Sequence, residues 1–262
     1  MLNFQTLLID IKDQTATVTL NRPDVHNAFN DVLISEITQA FSHLGQEKDV
    51  RAIVLTGAGS SFCAGGDLNW MKQCAGYSRE ENIEDAQKLH QMLLQIVRCP
   101  KPVIAKVNGT TMGGGVGLVA AADMAFAFKT AMFALSEVRL GLIPAVISPF
   151  VIRKMGDARF LEYTLTAERF SAMQAKELGL IQHCGDPEQI NELVDIKIQA
   201  LKAAGPEALA ESKRLVQEIA GVSLEKVGEA TARFLADRRA SAEAKEGIEA
   251  FFAKRKPKWA SP

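Results

Sequence analysis

The chain has no surplus of charge of either sign: 30 Lys and Arg stand against 31 Asp and Glu in 262 residues. A balance this close to zero removes the global field that would draw a protein to nucleic acid or to an anionic membrane. Its four cysteines, Cys63, Cys74, Cys99 and Cys184, form no CxxC pair, and its four histidines are scattered. No disulfide framework and no metal site are therefore expected, and the thiols read as reduced, as in a cytoplasmic protein. Long apolar runs are missing too. The longest, near 140–152, is short and contains Pro144 and Pro149, which argues against a membrane span. The opening MLNFQTLLIDIKDQ lacks a basic start and a long apolar core, so no signal peptide is expected.

What is present is enough apolar residue (47 %) to bury a large core as one α/β unit, or one unit with a small appendage. Residues 4–11 and 15–20 alternate or run β-branched around Lys12-Asp13-Gln14, which predicts a hairpin. Leu33, Ile34, Ile37, Phe41 and Leu44 fall at helical spacing and predict an amphipathic helix over 30–44. Residues 51–56 read as a buried strand, and 57–66 (GAGSSFCAGG) as a loop ending at Asp67, which is expected to cap a helix starting at Leu68. Ser78 and Glu81 form a capping box that opens a long helix to about Val97. Residues 124–128 predict another short strand. Ser148-Pro149 reads as N-cap and first residue of a helix stopping at Gly156. Ser171 and Gln174 form a second capping box, with Gly179 as the stop. Gly205-Pro206 marks a junction, followed by helix almost continuously to about Arg255. These helices carry more apolar surface than they can bury alone, so they are expected to pack on the core or on another subunit.

The stretch from Pro100 to Asp123, PKPVIAKVNGTTMGGGVGLVAAAD, organises the rest. It reads as buried strand, break at Asn108-Gly109, and Ala-rich helix opened by Gly113-Gly114-Gly115. Three glycines fit a backbone that must come very close to something. At a helix start that is an anion or a developing negative charge, or else a tight strand-to-helix crossing with no ligand. The loop Phe62–Asp67 also follows a buried strand. Two such loops on neighbouring parallel strands could each aim a backbone N–H at one point, which is the arrangement of an oxyanion hole. Glu137 sits among apolar residues in SEVRLGLIP. Burial would raise its pKa and suit it to proton transfer; the alternative is pairing with Arg139 or capping a turn. Asp123 reads as structural. Residues 115–120 also match GxGxxA, but these glycines do not follow the strand directly, so a dinucleotide site is rejected.

The segments NRPDVHNAF, SSFCAGGDL, KPVIAKVNGTTMGGGVGLVAAAD, FALSEVRLGLIP, LTAERFSAMQAKELGLI and EGIEAFFAKRKPKW resemble the enoyl-CoA hydratase/isomerase (crotonase) superfamily, in order and over nearly the whole chain. SEVRLGLIPAVISPFVI with GGGVGL is most similar to bacterial methylglutaconyl-CoA hydratases, which implies branched-chain acyl-CoA metabolism such as leucine degradation. The resemblance implies an α/β fold: a spiral of stacked ββα units over 1–205, then a helical trimerisation region over 206–262. It implies a homotrimer or dimer of trimers, with no membrane or nucleic-acid partner. It implies an acyl-CoA thioester substrate, with CoA part of that substrate and no other cofactor.

The same resemblance assigns residues. Ala64 and Gly114 would hold the thioester carbonyl through their N–H groups, and Glu137 would be the catalytic carboxylate. Val25, His26 and Ala28, with Ala64, Gly65, Gly66, Asp67 and Leu68, would line the CoA path. Lys254 would meet CoA phosphates, often across a subunit boundary, and the N–H of Ala145 would help hold the reacting water. One departure stands out. Two-carboxylate hydratases of this family carry a Glu where this chain has Gly117, and family isomerases often keep only the second acid. The reading is therefore a hydratase of a branched or carboxylated 2-enoyl-CoA, with a Δ3,Δ2-enoyl-CoA isomerase as first alternative. A non-catalytic member binding CoA esters or RNA is the second. Lys72, Arg79, Arg153 and Lys154 are candidate partners for a distal carboxylate.

Overall fold

The computed structural model describes residues 4–260. The chain opens with the expected hairpin, β1 (Leu7–Lys12) antiparallel to β2 (Thr15–Leu20). Its turn is tighter than expected. Only Asp13 and Gln14 connect the strands, both at positive φ (47° and 61°), the turn hand that matches the twist of paired strands. Asn30 then caps α1 (Asp31–Gln46), accepting the Leu33 N–H at 2.9 Å. The stripe read from the sequence is the face that α1 buries.

From β3 (Ala52–Gly57) a pattern repeats: long strand, turn, three-residue strand, helix. After β3 come β4 (Ser61–Cys63), α2 (Leu68–Cys74) and the long α3 (Arg79–Arg98), opened by the Ser78–Glu81 capping box. The next unit is β5 (Val103–Val107), β6 (Thr110–Met112) and α4 (Gly114–Ala121). Then come β7 (Met124–Phe128), β8 (Met132–Ala134), a 3-10 turn at Glu137–Leu140 and α5 (Ser148–Met155). The order continues with α6 (Asp157–Thr166), β9 (Arg169–Ser171), α7 (Ala172–Glu177), β10 (His183–Gly185) and α8 (Pro187–Ala203). The long strands and the three-residue β10 form one sheet, β1-β2-β3-β5-β7-β10, parallel from β2 onward; the other short strands form a second, β4-β6-β8-β9. Because β3 pairs with β5 while β4 pairs with β6, successive units stack. This is the expected spiral of ββα units.

Two local readings need correction. A loop was expected over 57–66, where β4 lies, and no strand was expected at 110–112 or 132–134, where β6 and β8 lie; three residues span too little of a period-2 pattern to register. Ser148 is the first residue of α5, not its cap. The cap position is Ile147, and the Ser148 hydroxyl donates to the Ala145 carbonyl at 2.8 Å.

The strands β3 and β5 read as continuous apolar runs because both faces are covered. Ile53, Leu55, Val103 and Ala105 join the main core with α1, α3 and α4. Val54, Ile104 and Phe126 face the other way, against Ile190, Val194 and Ile198 of α8. Helices α9 (Pro206–Ile219), α10 (Gly228–Ala240) and α11 (Ala242–Phe252) follow. Asp123 pins this tail, as a structural residue should. Its carboxylate accepts from Lys213 Nζ of α9 at 2.6 Å and from the Val103 N–H at 2.7 Å, tying β5, the end of α4 and α9 together. The tail still leaves Val216, Leu235, Ile248, Phe251 and Phe252 exposed. Among the described residues, no helix is long and apolar enough to cross a membrane.

Candidate active site

Three segments meet at the start of α4. The first is Arg22–Phe29, held by the buried Asn27 side chain. Its amide donates to the Ala58 and Ser61 carbonyls (2.9 and 2.8 Å) and its oxygen accepts the Arg22 N–H at 2.9 Å. His26, at φ 53°, is exposed and shares a hydrogen bond with Ser61 Oγ (2.9 Å); Val25 is exposed and Ala28 buried.

The second segment is the loop after β4. Phe29 and Gly66 form a parallel bridge: Phe29 N–H donates to Gly65 O at 2.6 Å, and Asp67 N–H donates to Phe29 O at 2.8 Å. In such a bridge the N–H of Gly66 points away from Phe29. Among the described residues it finds no acceptor. The Asp67 carboxylate caps α2 through the Asn69 and Trp70 N–H groups and pairs with Arg22 at 2.8 Å. Burial alone would raise its pKa. The Arg22 hydrogen bond and the two N–H groups outweigh that and hold it below the ordinary carboxylate value. Asp67 is thus a charged structural cap, and the exposed Leu68 begins the helix. Cys63, beneath the loop, stays a thiol, since burial pushes it up to about 12.

The third is Gly113–Gly114. Gly113 adopts φ 48°, ψ −117°, which only glycine takes without strain, and its N–H donates to Ala134 O at 2.9 Å. Gly114 begins α4 with its N–H unbonded among the described residues. A Cβ on Gly114 would lie 2.6 Å from the Phe29 ring, and one on Gly65 would lie 3.0 Å from Met112 O and 3.7 Å from Gly114 N. The two glycine loops therefore touch.

Glu137 closes the site. Its Oε1 lies 2.9 Å from where a Cβ on Gly113 would be. Oε2 is buried without a hydrogen-bond partner, and no ion pair joins Glu137 to Arg139 among the described residues. Burial raises its pKa above the usual carboxylate value, partly offset by its own backbone N–H. The result is a reluctant carboxylate beside two unbonded backbone N–H groups.

Two N–H assignments do not survive this geometry. Ala64 N–H is taken by His26 O at 3.0 Å, so the unbonded donor of that loop is Gly66. Ala145 N–H is taken by Ile143 O at 2.8 Å and has nothing to offer a water. Lys254 lies by the β1–β2 turn, in a groove of about 1060 Å³ with Asp13, Gln14, Lys202 and Lys256, which shares no residue with the site. Lys154 Nζ is held by Ala122 O at 3.1 Å, at the far end of α4, where Lys154 and Arg153 line a separate groove of about 910 Å³ with Asp123 and Lys213. Arg79 is exposed beside Glu80. Sequence reading missed Phe29 and Asn27 as the parts that bring these loops together. Their only signal was membership of NRPDVHNAF.

Residues 10–262 match the family model described as enoyl-CoA hydratase/isomerase. The chain is 38 % identical to an enoyl-CoA hydratase from Shewanella pealeana, with a TM-score of 0.94 over 98 % of this chain and 96 % of that one. An enoyl-CoA hydratase/isomerase from Marinobacter aquaeolei is 33 % identical, with a TM-score of 0.92 over 98 % and 99 %. A peroxisomal Delta(3,5)-Delta(2,4)-dienoyl-CoA isomerase from Arabidopsis thaliana is 30 % identical over 99 % of each chain.

Proposed function

The chain belongs to the enoyl-CoA hydratase/isomerase family, an enzyme family acting on acyl-CoA thioesters, and from that premise we propose that it adds water to a branched or carboxylated 2-enoyl-CoA of the methylglutaconyl type. The observation that carries this is the Glu137 carboxylate, buried and unpartnered at Oε2, beside the unbonded N–H groups of Gly114 and Gly66.

The thioester oxygen would accept from both N–H groups. Glu137 would take a proton from water as the hydroxyl oxygen bonds to Cβ. The double-bond electrons would move through Cα toward the thioester oxygen, giving an enolate that the two donors stabilise. Glu137 would then return the proton to Cα, restoring the carbonyl. A carboxylate with a raised pKa is suited to both steps, because the proton it accepts is also one it gives up. Water and proton transfer need no redox group, so CoA enters only as part of the substrate. Lys72 on α2 is the one of the four candidate cations that is neither ion-paired among the described residues nor behind α4, and it is proposed to meet a distal carboxylate.

A second reading rests on Gly117. With no carboxylate there, Glu137 acts alone, which also suits an isomerase taking a proton from C2 and delivering it to C4. A panel of straight, branched and carboxylated 2-enoyl-CoAs, with the matching 3-enoyl-CoAs, separates the two. Hydration fastest on branched or carboxylated 2-enoyl chains is expected. Movement of a 3-enoyl double bond with no water added to any 2-enoyl chain would make it an isomerase.

The exposed Val216, Leu235, Ile248, Phe251 and Phe252 favour a trimer or a dimer of trimers, in which Lys254 could reach CoA bound to a neighbouring subunit. Multi-angle light scattering should give three or six times the 28.5 kDa chain mass. A stable monomer at micromolar concentration would remove both the trimer and this role for Lys254. A cytoplasmic location is part of the same proposal, resting on the reduced-thiol reading of the cysteines.

A further inference from the structure

The first turn of α4 is glycine at 114, 115 and 117, and Ile147 stands against Gly117. A Cβ on Gly117 would lie 2.5 Å from Ile147 Cγ2, 3.0 Å from Ile147 Cβ and 3.4 Å from Leu93 Cδ1. Ile147 and Leu93 are 3 % and 0 % exposed, so neither side chain has solvent to swing into. The Ile147 backbone is fixed as well, since its carbonyl accepts the Phe150 and Val151 N–H groups at 3.0 and 3.1 Å. Its β-branched side chain is stiff at χ1.

Position 117 is not an arbitrary core site. Helical side chains lean toward the helix N-terminus. Anything larger than hydrogen at 117 would reach back over the first turn of α4, where Gly113 faces the Glu137 carboxylate. Ile147 fills the space that Gly117 leaves there.

We propose that Ile147 is a specificity-determining residue of the acyl site: with Gly117 it forms a size-matched pair that closes the site beside Glu137, sets its depth, and keeps that side apolar. The inference rests on the acyl-CoA reading above. It predicts that acyl groups are measured against Ile147 and that a larger residue at 117 is better tolerated when Ile147 is made smaller.

The test is the affinity of purified variants for saturated acyl-CoAs of increasing length, which does not depend on which reaction the enzyme performs. Ile147→Ala removes the γ and δ carbons and opens space bounded by Gly117 and Leu93. Each further methylene that enters it should gain about fourfold in affinity. The preference for octanoyl-CoA over butyryl-CoA should therefore rise at least about tenfold over the parent's. Ile147→Val, which disturbs packing less, should shift the same ratio in the same direction by a smaller factor. An unchanged ratio in a folded Ile147→Val or Ile147→Ala protein, with the parent binding both ligands, overturns the inference and leaves the acyl-CoA reading standing. No binding of any acyl-CoA by the parent overturns both.

Thermal unfolding supplies the second measurement. Gly117→Ala should lower Tm by less in the Ile147→Ala background than in the parent background. An equal loss in both backgrounds overturns the pairing. The selectivity shift is the readout that a purely structural contact would not move.

Discussion

Glu137→Gln is expected to lower kcat by about 10²–10⁴-fold while acyl-CoA binding stays nearly unchanged. Gln keeps the size of the side chain and loses the base. No second acid can take over from position 117, since Gly117 is packed against Ile147. The parent's kcat/KM should rise with pH through one ionisation above the ordinary carboxylate value of about 4.3, because burial raises the Glu137 pKa. There should be no matching fall from a catalytic acid within the site.

Stability should move the other way. A carboxyl whose folded pKa lies above its unfolded value is most favourable to folding when protonated. That contribution is present below the unfolded pKa and is lost as pH rises through the folded one. Once ionised, the parent's Glu137 is a buried carboxylate whose Oε2 has no hydrogen-bond partner among the described residues. Glu137→Gln should unfold at higher temperature than the parent at pH 7, and the gain should shrink at pH 4. A variant that turns over at close to the parent rate would place the base elsewhere. A variant that is inactive but no more stable at pH 7 would mean that the burial of Glu137 is relieved by something other than its protonation.

The second large effect belongs to Gly114. Gly114→Ala puts a methyl group 2.6 Å from the ring of Phe29, which is 1 % exposed and cannot retreat. Helix α4 must shift at its first residue, carrying the Gly114 N–H off its line. Losing one oxyanion donor costs about 10²–10³-fold in kcat. Overpacking should also remove about 1–3 kcal/mol of stability, read as a lower urea midpoint. The two effects are separable. Assayed well below its unfolding midpoint, the folded variant should remain slow, with kcat reduced more than affinity for a saturated acyl-CoA. A folded Gly114→Ala protein with parent-like kcat would remove the Gly114 N–H from the mechanism.

The long elements were legible because their periods run over many residues. The α1 stripe from Leu33 to Leu44 and the Ser78–Glu81 box are local patterns, and so is the buried run of β5. Glu137 was found because a lone acid in an apolar stretch is conspicuous. The direction of its pKa shift follows from the same burial. What stayed hidden depends on contacts between distant segments. Ala64 and Gly66 are two residues apart in one glycine loop, and only contacts with the distant 26–29 segment decide between them: Ala64 N–H is spent on His26 O, while the bridge to Phe29 leaves Gly66 N–H over. The Ala145 N–H is lost to a tight local turn that no residue type announces. The partnership of Gly117 with Ile147 joins positions thirty residues apart and has no one-dimensional signature.

Phe29 contacts both glycine loops, and this bears on accuracy. Its main chain is bonded to Gly65 and Asp67, while its ring lies against Gly114. The two donors are thus gauged from one common datum and not from two independent loop ends. When the sheets breathe, both N–H groups ride with the same residue, and displacement common to both cancels in their spacing. In the proposed mechanism, tolerance at the thioester oxygen would then be set by one well-packed ring, so a protein built from short strands and glycine turns could hold two hydrogen-bond donors in fixed register without making either loop stiff.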